Sequence, residues 1–144
     1  MTKKILVAVD GSPASDRAVA FAANCAAADN AELLIVTISD GLVSESLRSM
    51  ARAERATVQQ MLDLEATAIL AEARRIASQC GLVHAKTRSE NGDPAAVILD
   101  VALAEGVDFI VVGKRGRGRL EGLLLGSVSQ KIASLAPCAV AIIP

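Results

Sequence analysis

The sequence is nearly devoid of aromatic side chains. Its 144 residues include two phenylalanines, no tryptophan and no tyrosine. Single-stranded nucleic acids are bound largely by stacking their bases on aromatic rings, so this composition argues against a surface of that kind. Fifteen basic and sixteen acidic residues give a formal net charge of −1. This balance argues against non-specific DNA binding, which depends on a large positive charge. We therefore expect no nucleic-acid partner.

Metal-ligating side chains are also scarce. The single histidine, His84, excludes sites that need two histidines. The three cysteines, Cys25, Cys80 and Cys138, lie far apart and form no Cys-x-x-Cys pair. An odd number of widely spaced cysteines is typical of reduced thiols. We therefore expect a cytoplasmic location, with the cysteines acting as small buried residues and His84 exposed to solvent.

No long uncharged apolar stretch is present, although hydrophobic residues make up 52% of the chain. A helix that crosses a bilayer needs about 18 or more apolar residues. The uncharged stretch 18–28 is shorter than this and rich in alanine. The apolar run near the N-terminus, Ile5 to Val9, stops at Asp10 and does not fit a signal peptide. We therefore expect neither insertion into a membrane nor a secretory signal.

Short apolar runs alternate with helical patterns along the chain. We predict buried strands at 5–9, 33–38 and 109–112, a final strand at 139–143, and an outer strand at 82–88, where polar and apolar residues alternate. Helices are predicted between them at 13–28, 62–80, 94–105 and 127–135, the first and third starting at Ser12-Pro13 and Asp93-Pro94. This alternation predicts an α/β fold, a parallel sheet covered by helices on both faces, formed by one domain over 1–144.

The polar segment 44–60 has helical propensity but no apolar stripe. We interpret it as a loop or a loosely packed helix with a solvated face, and a lid over a bound ligand is the alternative. In parallel sheets, ligands bind at the carboxyl ends of the strands. This rule points to 8–12, to 38–41 and to the segment that follows Val112.

The segment 113–127 contains the strongest functional signal. Glycines allow backbone N–H groups to approach an anion closely, and a following helix start adds partial positive charge. Ser127 and Ser129 offer hydroxyl groups to phosphate oxygens. Four of the fifteen basic residues fall within six positions of this segment: Lys114, Arg115, Arg117 and Arg119. The pattern favours a nucleotide phosphate tail, and a surface connection with solvated arginines is the alternative.

Familiar phosphate-binding motifs do not match this segment. A Walker loop requires Gly-Lys-Ser/Thr, whereas Gly118 is followed by Arg119 and Leu120. A dinucleotide fingerprint that starts at Gly116 requires glycine or alanine where Glu121 stands. The loop of adenylating enzymes requires a double glycine, which is missing from 9–13.

The pattern Gly-x2-Gly-x9-Gly-Ser is present, at Gly113, Gly116, Gly126 and Ser127. With it, the sequence resembles the universal stress protein family, in its ATP-binding branch. The resemblance covers the whole chain and rests on further motifs in the expected order. These are Ile-Leu-Val-Ala-Val-Asp-Gly-Ser at 5–12, Gly-Asp-Pro at 92–94, Val-Asp-Phe-Ile-Val-Val-Gly at 107–113, Gly-Ser-Val-Ser-Gln-Lys-Ile at 126–132 and Ala-Pro-Cys-Ala-Val-Ala-Ile-Ile-Pro at 136–144.

The resemblance implies a Rossmann-like, three-layer fold with a five-stranded parallel sheet of order 3-2-1-4-5. It also implies a homodimer formed through the last strand, 140–143, and ATP bound at the ends of strands 1, 2 and 4. Asp10 would lie near the ribose and phosphates, or near the magnesium ion of Mg-ATP. The implied nucleotide contacts are Ala8, Val9, Asp10, Ile38, Val112, Gly113, Arg115, Gly116, Arg117, Gly118, Arg119, Gly126, Ser127, Val128 and Ser129.

The sequence and the resemblance together lead us to expect a stress-response sensor or regulator that has no catalytic residues. ATP would order 113–127, and also 39–60, and so change a surface that a protein partner reads. Two alternatives stay open at this point. One is slow ATP hydrolysis or autophosphorylation, and the other is a dimeric scaffold that binds no nucleotide.

Overall fold

The computed structural model of the chain describes residues 3–39, 49, 52, 58–114 and 125–144. Within these residues, the strands are β1 (Lys4–Val9), β2 (Glu32–Ser39), β3 (Lys86–Asn91), β4 (Phe109–Gly113) and β5 (Ala139–Ile143). The helices are α1 (Pro13–Asp29), α2 (Val58–Gln79), α3 (Pro94–Glu105) and α4 (Ser127–Leu135). None of the described helices is long and apolar enough to span a bilayer.

The strands form a single five-stranded sheet in the order β3-β2-β1-β4-β5, and every neighbouring pair is parallel. The central strand β1 pairs with β2 on one side, where Ile5 aligns with Leu33, and with β4 on the other, where Ile5 aligns with Phe109. The predicted α/β class and the strand order 3-2-1-4-5 are confirmed.

Two apolar clusters lie on opposite faces of the sheet. Successive side chains of β1 point to opposite faces, so the fully buried Val7 packs with α1 and α2 while the fully buried Leu6 packs with α3 and α4. Alanines such as Ala22 and Ala26 line the buried face of α1. Their small side chains compensate for the lack of aromatic residues by letting the helix approach the sheet closely.

The predicted helix boundaries at Ser12 and Asp93 are confirmed by their side chains. The Ser12 hydroxyl accepts a hydrogen bond from the backbone N–H of Ser15 at 3.2 Å. The Asp93 carboxylate accepts one from the N–H of Ala96 at 3.0 Å. In both helices a proline occupies the first turn, where its missing N–H costs nothing.

The prediction for the outer strand, 82–88, is wrong at both ends. The strand β3 begins at Lys86, which aligns with Leu34 of β2, and continues to Asn91. The preceding residues 82–85 do not pair with a strand. At their start, the N–H of Leu82 donates to the carbonyl of Ala77 and closes the end of α2. The alternation of apolar and polar residues at 82–85 thus lies in a connection and not in a strand, and Val83 is 69% exposed there.

The interpretation of 44–60 falls mostly outside the described residues. Only 49, 52 and 58–60 of that segment are described, and helix α2 is described from Val58. The interpretation as a loop or loosely packed helix and the alternative of a lid therefore both stay predictions.

Candidate functional site

The carboxyl ends of β1, β2 and β4 meet at one edge of the sheet. The strands β2 and β3 lie on one side of β1, and the later strands β4 and β5 lie on its other side. The strand order therefore reverses its direction between β1 and β4. Helices that follow β1 and β4 start on opposite faces of the sheet, since α1 packs with one apolar cluster and α4 with the other. This divergence opens a crevice of the kind in which parallel α/β sheets bind ligands.

A threonine joins two of the strand ends. The hydroxyl of Thr37, which is 3% exposed, donates to the carbonyl of Val9 at 2.9 Å. The same two residues are aligned in the pairing of β1 with β2. Ala8 and Ile38 beside them are half-buried and pack against the α3 and α4 side. This hydrogen bond and the strand pairing hold the ends of β1 and β2 side by side.

The turn between β1 and α1 holds Asp10 by hydrogen bonds. The Asp10 carboxylate accepts from the N–H of Ser12 at 2.9 Å, and the N–H of Asp10 donates to the Ser15 hydroxyl at 3.2 Å. Gly11 has a φ of 81°, in the left-handed region where glycine has no Cβ to clash. Ser15 was not among the predicted site residues, although its position three residues after the N-cap is the capping-box position.

Glycine at 113 allows helix α1 to begin close to the end of β4. A Cβ on Gly113 would lie 3.0 Å from the Cβ of Ala14 and 3.1 Å from its carbonyl carbon. Contacts this short would require the first turn of α1 or the end of β4 to shift by a few tenths of an ångström. The first turn of α1 therefore sits against the end of β4, and Val112 beneath is almost completely buried.

The residues on either side of 115–124 are tied to each other. The carbonyl of Lys114 accepts from the N–H of Gly126 at 2.8 Å and from the hydroxyl of Ser129 at 2.9 Å. The N–H of Lys114 donates to the carbonyl of Ile143, at the end of β5, at 2.6 Å. The end of β4 and the start of α4 are thereby held together and anchored to the sheet.

Among the described residues, no side chain caps the first turn of α4. Its N-cap is Gly126, which has no side chain to accept from the first amides, and the turn contains no acidic residue. The first N–H groups of a helix have no acceptor within the helix and carry its partial positive charge. The backbone N–H groups of Ser127, Val128 and Ser129 at the end of β4 are therefore of the kind that could receive an anion.

The two serines of this turn are placed differently. Ser127 is exposed, whereas Ser129 is 2% exposed and its hydroxyl donates to the carbonyls of Lys114 and Gly126. Because a hydroxyl has one proton, Ser129 has none left for a phosphate oxygen in this arrangement. Val128 is half-buried and packs against the α3 and α4 side of the sheet.

The start of α1 carries acidic side chains, in contrast to the partial positive charge at the start of α4. Burial raises the pKa of Asp16 above its usual value, and the nearby carboxylates Glu72 and Asp10 raise it further, while Arg75 and Arg17 oppose this shift. Among the described residues, no group of three or more His, Cys, Asp or Glu side chains could hold a metal ion alone.

The structure thus brings all ten described candidate residues to one edge of the sheet. These are Ala8, Val9, Asp10, Ile38, Val112 and Gly113 at the strand ends and Gly126, Ser127, Val128 and Ser129 at the start of α4. The remaining candidates lie outside the described residues. They are Arg115, Gly116, Arg117, Gly118 and Arg119.

Comparisons with known proteins agree with this geometry. The model of the universal stress protein family matches residues 1–144. Universal stress protein YxiE of Bacillus subtilis is 36% identical over 148 aligned positions, covering 99% of each chain. The solved structure of UspA from Lactobacillus plantarum superimposes with a TM-score of 0.81 at 26% identity, covering 99% of this chain and 97% of that one. A universal stress protein solved in complex with cAMP is 30% identical with a TM-score of 0.71, covering 99% and 96%.

Proposed function

The chain belongs to the universal stress protein family, and from this premise we propose that it binds ATP in the crevice at the ends of β1, β2 and β4. The observation that carries the proposal is the uncapped start of α4, held beside that crevice by Lys114. A relative that is 30% identical was solved with cAMP, a nucleotide with the same base and sugar as ATP. This relative supports the adenosine half of the proposal.

The proposed contacts follow the ligand from its base to its phosphates. Adenosine would lie against the backbone of Ala8, Val9 and Ile38, with Val112 and Gly113 below it. The α- and β-phosphates would accept hydrogen bonds from the amides of Ser127, Val128 and Ser129, and from the Ser127 hydroxyl. The basic residues Arg115, Arg117 and Arg119, with the intervening glycines Gly116 and Gly118, would surround the terminal phosphates.

A magnesium ion fits the proposal as part of the ligand. Mg²⁺ is commonly held by one or two carboxylates together with substrate phosphates, and it keeps several waters. Asp10 supplies one carboxylate at the crevice, fixed by the N–H of Ser12. The acidic character around Asp10 and Asp16 would repel phosphates, so the cation would also offset this repulsion. We therefore expect magnesium to strengthen ATP binding.

Calorimetric titration tests the proposal. The purified protein is titrated with ATP, AMP and adenosine, each with and without magnesium. We expect millimolar or tighter binding of ATP, weaker binding of adenosine, and a magnesium effect only for ATP. Absence of ATP binding to a folded protein would defeat the proposal and leave a scaffold whose glycines serve another purpose.

We also propose that two copies associate through β5. This edge strand consists only of alanine, valine and isoleucine, whereas the opposite edge strand β3 carries charged residues such as Arg88, which is paired with Glu90 and Glu105. Charged side chains protect an edge against pairing, and an apolar edge invites it. A dimer with two-fold symmetry would place the two β5 strands side by side.

Sedimentation of a lysine variant tests the dimer. Ala139 is the exposed residue of β5, so Ala139→Lys adds two like charges across a symmetric edge without entering the core. We expect a dimer for the wild type and an association at least about tenfold weaker for the variant, because a charged lysine on an edge strand disfavours pairing. The matched control is Ala133→Lys, on the exposed side of α4. A dimer equally stable in both variants would contradict the proposed edge.

The biological role that we propose is that of a cytoplasmic regulator. ATP would change the amide protection of 113–127, and a protein partner would distinguish the two states. Hydrogen exchange with and without ATP tests this step. Identical exchange in the two states would contradict regulation through this surface while leaving the binding proposal intact.

A further inference from the structure

The carbonyl group of Lys114 is the point at which the two ends of the glycine-rich segment meet. It accepts from the N–H of Gly126 at 2.8 Å and from the hydroxyl of Ser129 at 2.9 Å. The N–H of the same residue donates to the carbonyl of Ile143 at 2.6 Å. One residue thus connects the end of β4, the start of α4 and the end of β5.

The hydroxyl of Ser129 differs from those of the other serines in α4. Ser129 is 2% exposed, and its proton is shared between the carbonyls of Lys114 and Gly126, the second at 3.1 Å. Ser134 also bonds a carbonyl, but that of Gln130 one turn earlier in its own helix. Ser127 is exposed. In the bonds that the structure describes, Ser129 is the serine that joins the helix to the far side of the segment.

We propose that Ser129 is a positioning residue: through the carbonyl of Lys114, its hydroxyl holds the start of α4 against the end of β4, so that the first amides of α4 face the crevice. The effect on nucleotides rests on the proposed function, because it assumes that these amides receive phosphates. The side chain of Ser129 then does not touch the ligand, and only its backbone N–H does.

Loss of the hydroxyl would weaken this connection without removing it. In Ser129→Ala the N–H of Gly126 remains as a donor to Lys114, so the chain still folds. The two ends would separate more often, and the apparent affinity for a ligand falls in proportion to the population that is competent to bind. Only the part of the ligand that reaches α4 is affected. We therefore expect a selective loss for phosphate-rich nucleotides.

Two measurements on Ser129→Ala test the proposal. The first is amide hydrogen exchange without nucleotide, in which the amides of Lys114 and Gly126 are expected to exchange faster than in the wild type. The second is titration with ATP and adenosine. One hydrogen bond of typical strength corresponds to about a fivefold change in equilibrium, so we expect ATP to bind about fivefold more weakly and adenosine to change less than about twofold.

Two serines of the same helix provide matched controls. Ser134→Ala removes a hydroxyl that bonds within α4, and neither exchange at Lys114 and Gly126 nor ATP binding should change. Ser127→Ala removes an exposed hydroxyl proposed to contact phosphate. It should weaken ATP binding while leaving the exchange of Lys114 and Gly126 as in the wild type.

The outcomes separate this proposal from the proposed function. Unchanged exchange at Lys114 and Gly126 in Ser129→Ala would overturn the positioning role, whatever happens to ATP. Equal losses for ATP and adenosine would also overturn it, because they would indicate general damage to the site. If the wild type binds no ATP, the proposed function fails, and the exchange measurement alone then supports or overturns the connection made by Ser129.

Discussion

The helices α1 and α4 begin at the same edge of the sheet, but their first turns are built in opposite ways. At α1 the Ser12 hydroxyl accepts from the N–H of Ser15, and the preceding carboxylate of Asp10 accepts from the N–H of Ser12. At α4 the N-cap is Gly126, and no described side chain accepts from the first amides. The first helix start thus has a side-chain acceptor for the N–H of Ser15, whereas the second has none among the described residues.

This difference shows how a single crevice can have an acidic and an anion-attracting side. The capped start of α1 holds Asp10 and Asp16, with charges suited to a cation. The uncapped start of α4 has no acidic residue in its first turn and presents backbone donors suited to phosphate. A nucleotide carrying a magnesium ion would satisfy both sides at once.

The largest expected effect comes from disturbing the contact between α1 and the end of β4. In Gly113→Val the new Cβ would lie 3.0 Å from the Cβ of Ala14, and the two added methyl groups would need further space. We expect the free energy of unfolding to fall by about 3 kcal/mol, at the upper end of the usual cost of overpacking. Chemical denaturation measures this change.

The control for this variant is another glycine with open space around it. Gly81 has a φ of 88°, and beyond its chain neighbours no described heavy atom would lie within 4 Å of a Cβ at this position. Gly81→Ala should therefore cost only the strain of the left-handed backbone, about 1 kcal/mol. A loss in Gly113→Val no larger than this would mean that α1 does not rest tightly on β4.

The next effect comes from giving α4 the kind of cap that α1 has. Gly126 has φ −70° and ψ 165°, which any residue can adopt, so Gly126→Asp can place a carboxylate over the first amides. The added charge would compete with phosphate for the same donors. We expect ATP to bind about 10- to 100-fold more weakly, corresponding to about 1.4–2.8 kcal/mol, as measured by calorimetry.

The matched control is Gly126→Asn, which caps the helix with a neutral side chain. Its ATP affinity should lie between those of the wild type and Gly126→Asp. Asparagine, aspartate and glycine are all favourable N-cap residues, so the stability of the protein should change little among the three. Unchanged ATP affinity in Gly126→Asp would place the phosphates elsewhere.

A smaller effect follows from removing the cap of α1. Ser12→Ala leaves the N–H of Ser15 without its acceptor. We expect the free energy of unfolding to fall by about 1 kcal/mol, the typical value for a lost N-cap. Asp93→Ala removes the equivalent cap from α3, at a helix start outside the proposed contacts, and should cost a similar amount. Thermal unfolding compares the two.

The two cap variants should differ in nucleotide binding. Ser12→Ala also alters the turn that holds Asp10, so it should reduce the effect of magnesium on ATP affinity. Asp93→Ala should leave that effect unchanged. If both variants lower stability equally and neither changes the magnesium effect, the turn at Asp10 is a structural cap and nothing more.

The smallest effect concerns the acidic side of the crevice and depends on pH. The pKa of Asp16 is raised, mainly by burial, so the folded chain holds this proton more tightly than the unfolded chain does. Ionisation of Asp16 therefore lowers stability, and the penalty develops as the pH rises from the ordinary aspartate pKa of 3.8 through the raised value. Below 3.8 the penalty is absent.

The variant Asp16→Asn removes this titration. Its stability relative to the wild type should improve as the pH rises from about 3 to about 7, which denaturation at a series of pH values measures. A difference that stays constant with pH, or moves in the opposite direction, would show that burial and the neighbouring carboxylates do not act on Asp16 as described.

Features that depend on neighbouring residues could be predicted from the sequence. The N-caps Ser12 and Asp93 and the continuous apolar runs of β1 and β4 are local patterns, and the structure confirms them. The predicted start of β3 was wrong because the alternation at 82–85 is a local pattern without a partner strand. Pairing begins only where Lys86 meets Leu34.

The edge of the sheet that carries the candidate residues was predictable, but the contacts within it were not. Strand ends and the glycine pattern located the crevice, whereas the contact of Gly113 with Ala14 joins residues almost a hundred positions apart. The hydroxyl direction of Ser129 likewise depends on Lys114, which is distant in sequence. Burial and hydrogen-bond direction between remote segments leave no mark in a single sequence.

The comparison of the two helix starts can be tested directly by following backbone amide signals during an ATP titration by nuclear magnetic resonance. We expect the amides of Ser127 and Val128 to shift strongly and to saturate with the ligand. The amide of Ser15, already bonded to Ser12, should shift much less. Strong shifts at Ser15 with none at Ser127 and Val128 would contradict the claim that the uncapped start of α4 receives the phosphates.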